Sequence, residues 1–162
     1  MKTLLPRLMC VLSVATCLVA LAESGKAQHT DNAVMTDADR VEQMFKNAGL
    51  TYTRKADIFV SDQNSRRFIF ALNKNVLVGF SVMATKGSFQ SSAAALQSFL
   101  QASYKFDYVK MVIDEDGDLS VRFDYSIRVL DQKEFENIVH QLMNAEGDIR
   151  KDIQPYLISA KP

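Results

Sequence analysis

From residue 36 onward the apolar residues of this chain recur with two alternating periods. Val41, Met44, Phe45 and Ala48 are spaced for one face of a helix. Thr36, with Asp39 three positions on, supplies a capping-box start, and Gly49 a left-handed stop. The pattern predicts a helix over 37–48. Period-2 segments follow. Tyr52–Arg54 and Ile58–Val60 read as one bent strand, and Asp62–Ser65 as a turn. Phe68, Phe70 and Leu72 alternate on one strand, Val76, Val78, Phe80 and Val82 on the next, across an Asn73-Lys74-Asn75 turn. Both apolar sets are expected on the same side of an antiparallel meander. Gly79 marks a bulge or a close approach of another backbone.

After Lys86-Gly87-Ser88 a second helix is predicted to about Ala102, with Ala93, Leu96, Phe99 and Leu100 as its apolar stripe. A hairpin follows, its arms Phe106–Ile113 and Leu119–Val129 joined through Asp116-Gly117. On the second arm Leu119, Val121, Phe123, Tyr125, Ile127 and Val129 point one way; Ser120, Arg122, Asp124, Ser126 and Arg128 point the other. Asp131 caps a last helix with Phe135, Ile138, Val139 and Leu142 inward, which Gly147 weakens, kinks or ends, and which does not run far past Pro155. The order is α-β-β-β-α-β-β-α. It predicts an α+β domain: a five-stranded antiparallel sheet with helices packed on one face.

The first residues change where this domain works. Lys2 and Arg7 precede an uncharged Leu/Val/Ala run, Leu8–Ala22, that ends in Ala20-Leu21-Ala22. This is the layout of a cleavable secretory signal, and the run is shorter than the ~20 apolar residues of a membrane span. Cleavage near Ala22, or alternatively after Ala27, delivers the chain to the periplasm or beyond with no stable membrane anchor. Residues 23–35 read as a flexible polar leader and 36–157 as the folded domain, which holds all ten Phe and all five Tyr. Both cysteines, Cys10 and Cys17, lie in the signal, so the exported domain has neither disulfide nor thiol chemistry. The full chain carries 19 basic and 19 acidic residues; loss of Lys2 and Arg7 leaves 17 against 19. That balance argues against nucleic acid as a partner.

Candidate chemistry is sparse. Asp114, Asp116 and Asp118 alternate like calcium ligands, but Gly117 is at the wrong position, Tyr125 stands where the closing Glu belongs, and strands flank the loop. His29 and His140 are the only histidines, too few with no cysteine for a zinc site. No nucleophile is set beside a base by a recognisable motif. No catalytic residue, metal site or cofactor is expected. Two surfaces are candidates for binding. Arg122, Asp124, Ser126 and Arg128 form either a solvated strand face or a docking face, which Arg54, Arg66 and Arg67 could extend. Phe70, Phe80, Phe99 and Phe123 could line a cavity for a small apolar ligand or lipid between sheet and helices.

The stretch Tyr104-Lys105-Phe106-Asp107-Tyr108-Val109-Lys110-Met111-Val112-Ile113-Asp114-Glu115-Asp116-Gly117-Asp118-Leu119, followed by an alternating strand and a helix opening at Asp131, resembles the YbjN family of bacterial proteins. The resemblance covers about residues 37–145. It implies a fold similar to type III secretion chaperones, protein partners, and pairing into homodimers, with no family catalytic residues to transfer. An export signal sets this chain apart from the usual cytoplasmic member. The expectation is an exported, non-enzymatic protein-binding or regulatory domain.

Overall fold

The computed structural model describes residues 35–158. The export segment and residues 23–34 of the leader lie outside the described residues. Helix α1 spans Asp37–Asn47. Its capping box is complete: Thr36 Oγ1 accepts the Asp39 N–H, and the Asp39 carboxylate accepts the Thr36 N–H. The meander comprises β1 (Thr53–Lys55), β2 (Ile58–Gln63), β3 (Arg66–Asn73) and β4 (Val76–Ala84). Helix α2 (Ala93–Ser103) is capped by Ser92 and leads to β5 (Lys110–Ile113) and β6 (Leu119–Ser126). Helix α3 (Gln132–Ile153) is capped by Asp131 and runs into a 3₁₀ turn at Gln154–Tyr156. The sheet is antiparallel throughout, in the order β1-β2-β3-β4-β6-β5.

The sheet thus has six strands rather than five. The expected bent strand is two, because Ala56 adopts a left-handed φ of 53° and turns the chain tightly between Lys55 and Ile58, which pair. A left-handed Lys74 (φ 55°) closes the β3–β4 hairpin the same way, with Asn73 opposite Val76. That two-residue turn sets a register that overturns the one-sided meander. Leu77 falls opposite Leu72 and Gly79 opposite Phe70, so these face the helices. Val76, Val78, Phe80 and Val82 therefore point to the other side of the sheet.

Helices α1, α2 and α3 cover one face. Phe45 of α1 sits at the centre of the core, its ring 5.1 Å from Phe59, 5.0 Å from Phe70 and 5.0 Å from Phe135. Fully burying each such ring contributes about 1.5–3 kcal/mol. Small residues on β4 make room for large ones beside them. A β-carbon at Gly79 would overlap the Phe123 ring and come within 3.0 Å of Phe70. Gly79 is thus a close approach, by a ring rather than a backbone. The bulge lies further on, between Val82 and Ala84.

Three further expectations are corrected. Of the expected apolar stripe of α2 only Phe99 faces the core, beside Ala95 and Ala102, while Ala93, Leu96 and Leu100 are exposed. The first hairpin arm shortens to Lys110–Ile113, and β6 ends at Ser126, because residues 127–130 turn away. There the Ile127 N–H donates to the Asn75 carbonyl, and Arg40 donates to the carbonyls of Ile127 and Leu130. Helix α3 neither ends nor breaks at Gly147. The Arg66 guanidinium packs against Gly147, and a β-carbon there would meet its Nη1 at 2.8 Å, so a larger residue would require that side chain to shift.

Candidate protein-contact surfaces

The face of the sheet opposite the helices has no covering element among the described residues. Strand pairing assigns its positions in rows. Thr53, Val60, Ile69, Phe80, Arg122 and Lys110 form one; Lys55, Ile58, Ala71, Val78 and Asp124 form the next. An apolar block from β2, β3 and β4 is bordered by Thr53 and Lys55 on the β1 side and by Arg122 and Asp124 on the β6 side. Ile58 and Val82 are exposed, and Val60, Ile69, Ala71, Val78 and Phe80 are half-buried. Half-buried here means shielded only by neighbouring side chains on the same face. Antiparallel sheets commonly leave one face wet, but that face is usually polar.

The predicted polar strand lies on this face in part. Arg122, Asp124 and Ser126 project from β6, with Arg122 Nη2 2.7 Å from the Asp124 carboxylate. Arg128 does not join them, since it lies in the turn after β6. Of the three arginines expected to extend the surface, only Arg67 does, paired with Asp62 at 2.9 Å. Arg54 faces α1 and binds Asp39 at 2.9 Å and Glu42. There Asp39 is held at a pKa of about 2 by the Thr36 and Arg54 hydrogen bonds, and Glu42 at about 2 by Arg54, Lys46 and Tyr52.

The four phenylalanines expected around a cavity do not converge. Phe70 and Phe123 are packed in the core, and Phe80 is on the open face. Phe99 alone borders a recess: an open groove of about 300 Å³ between α2 and β5, lined by Leu96, Leu100, Met111, Ile113 and Leu119. Its outer wall is exposed. Leu96, Leu100 and Tyr104 follow one another at helical spacing, with Leu100 71% and Tyr104 91% exposed. Beside them β5 is an edge strand, bonded only to β6.

One site escaped the sequence reading. Glu146 is 0% exposed, yet it is acidic. Its carboxylate lies 2.8 Å from Arg66 Nε and 2.6 Å from Arg150 Nη2. Arg150 also donates to the Met83 carbonyl at the β4 bulge. Two guanidiniums thus offset the cost of burying one carboxylate. The signal was present: Glu146 continues the inward spacing of Leu142, with Arg150 four residues on. Among the described residues no group of three or more His, Cys, Asp or Glu is placed to hold a metal ion.

No protein-family model matches the sequence, and no curated protein matches it. Solved structures resemble its fold. E. coli YbjN aligns with a TM-score of 0.58 at 16% identity, over 76% of this chain and 97% of YbjN. A chain of the heterodimeric ExoU–SpcU complex of the Pseudomonas aeruginosa type III secretion system aligns at 0.57 and 12% identity, over 71% and 98% of the two chains. The Yersinia pestis type III secretion chaperone SycH, solved in complex with a fragment of YscM2, aligns at 0.51 and 13% identity, over 70% and 99%. The chain therefore has the α+β fold shared by type III secretion chaperones and YbjN.

Proposed function

We propose that this chain is an exported, non-enzymatic protein-binding domain whose contact surface is the open sheet face. The observation that carries the reading is the apolar block Ile58, Val60, Ile69, Ala71, Val78 and Phe80, which no helix among the described residues roofs. Chaperone neighbours of this fold, such as SycH with its YscM2 fragment, lend it support. Val78→Lys places a charge on the β4 side of the block without touching the core. It is expected to abolish capture of the partner from periplasmic extract while leaving the melting temperature nearly unchanged; undiminished capture would sink the reading. Export rests on the Lys2–Ala22 pattern. N-terminal sequencing of the protein from periplasm or medium should begin at Glu23 or Gln28, and an intact Met1 there would refute it.

Pairing of two copies is favoured by the exposed Leu96, Leu100 and Tyr104 beside the β5 edge. An antiparallel contact centred on Val112 sets Lys110 opposite Asp114 of the second copy at both ends, and Met111 opposite Ile113. Light scattering should give twice the chain mass, reduced to one by Leu100→Asp. A monomeric native protein would leave the α2–β5 groove to the other reading, a small apolar ligand, which a hydrophobic dye displaced by Leu100→Asp would reveal.

A further inference from the structure

We infer that the partner seated on the open face is an amphipathic helix flanked by acidic residues; the inference rests on that face being the contact surface. Three observations select this occupant. First, the face offers side chains only. The backbone groups of β2, β3, β4 and β6 are committed to the ladder in the plane of the sheet. An extended segment laid over Val78 and Phe80 would bury its own N–H and C=O groups without partners, a costly arrangement. A helix satisfies them internally. Second, the apolar block fits one helix. It is three strands wide and two rows deep, and neighbouring strands lie roughly 4.8 Å apart. That matches the apolar stripe of a single helix about 10 Å across.

Third, the charges on this face are biased. Its strands present Lys55, Arg67, Lys110 and Arg122 against Asp62 and Asp124. The chain from residue 23 onward has the opposite balance, 17 basic to 19 acidic. A second copy laid face to face would set cation against cation. The chain's own export segment is apolar but begins with Lys2 and Arg7, the wrong sign, and the leader has no apolar helical stripe. A helix with Glu or Asp beside its apolar stripe complements both the block and its cationic border.

The test uses the purified protein with two helical peptides of equal length and identical Leu stripe, one flanked by Glu and the other by Lys. Binding is read by fluorescence anisotropy and located by backbone amide shifts. The Leu/Glu peptide should bind roughly tenfold tighter than Leu/Lys at low salt, with the gap closing as salt rises. Shifts should centre on Ile69, Val78 and Phe80. Arg122→Glu should shrink the preference, and Val78→Lys should remove binding; if Val78→Lys does not fold, the isosteric Val78→Thr should weaken it. Equal binding of both peptides, shifts centred on Leu96 and Leu100, or no binding by either would overturn the inference. The two readings fail separately. Loss of native partner capture in Val78→Lys, with neither peptide bound, keeps the contact face and rejects the helix. Undiminished capture in that variant rejects the face itself.

Discussion

The two faces of the sheet are built from similar residues and behave oppositely. On the covered face, large rings are separated by small residues. Gly79 on β4 leaves the space that Phe70 and Phe123 fill. On the open face the same strand carries Val76, Val78, Phe80 and Val82, so β4 is more apolar toward solvent than toward the core. Apolarity alone does not mark the core of this protein; volume matching does. Rings that interdigitate gain dispersion contacts in addition to losing water. The outward valines have lost part of their water and, among the described residues, gained no roof.

Mutations can break this comparison, beginning where the effect is largest. Phe45→Ala removes the ring around which Phe59, Phe70 and Phe135 gather, and should cost about 3–5 kcal/mol in urea unfolding. A loss below 1 kcal/mol, on the order of a surface substitution, would mean that the aromatic cluster is not the core. Glu146→Ala leaves Arg66 and Arg150 without their carboxylate. The cost should be about 3 kcal/mol, the low end for a broken buried pair, because both arginines reach solvent. Glu146→Gln should recover part of it through the Arg150 hydrogen bond. Gly79→Ala tests volume matching on the covered side and should cost about 1–3 kcal/mol by overpacking against Phe123. The matching change on the open side, Val78→Thr, should stay within about 0.5 kcal/mol. Equal costs at positions 78 and 79 would erase the distinction between the faces.

Acid provides a further test, centred on the ties between α1 and β1. Asp39 and Glu42 titrate at about 2 in the folded chain, below the ordinary carboxylate range. Depressed folded values mean that the unfolded chain binds protons first. Their contribution to stability is therefore present above about pH 4.5 and fades as pH falls toward 2. Arg54→Gln should flatten that part of the stability profile; an unchanged slope would show that Arg54 does not hold the pair.

Much of this architecture could be read from the chain. The Thr36–Asp39 box, the Asp-Gly hairpin and the inward stripe of α3 are local signals, each completed within a few residues. What could not be read depended on register. Period-2 alternation says that β4 has two faces but not which one is inward, and the Lys74 turn decides that. The α2 stripe misled for a related reason. Leu96 and Leu100 are apolar at helical spacing, yet Ala95, Phe99 and Ala102 take the core side because α2 lies close against α3 and β5. Of the predicted polar face, Arg122, Asp124 and Ser126 were legible from alternation alone. Arg128 was lost because the Ile127–Asn75 bond ends the strand first.

The long-range ties of α3 and its preceding turn also bear on the order of folding. The meander closes through tight hairpins and can form from neighbouring residues. Its roof cannot. Arg40 reaches carbonyls 87 and 90 positions downstream, and Arg150 reaches back 67 positions to Met83. Loop closure over such spans is entropically expensive and comes late. Until the last helix arrives, the helix-facing side of the sheet is only partly covered, by α1 and α2. During that interval the chain exposes apolar surface that the finished protein buries, and its stay in that state sets how far it depends on being sheltered from its own copies.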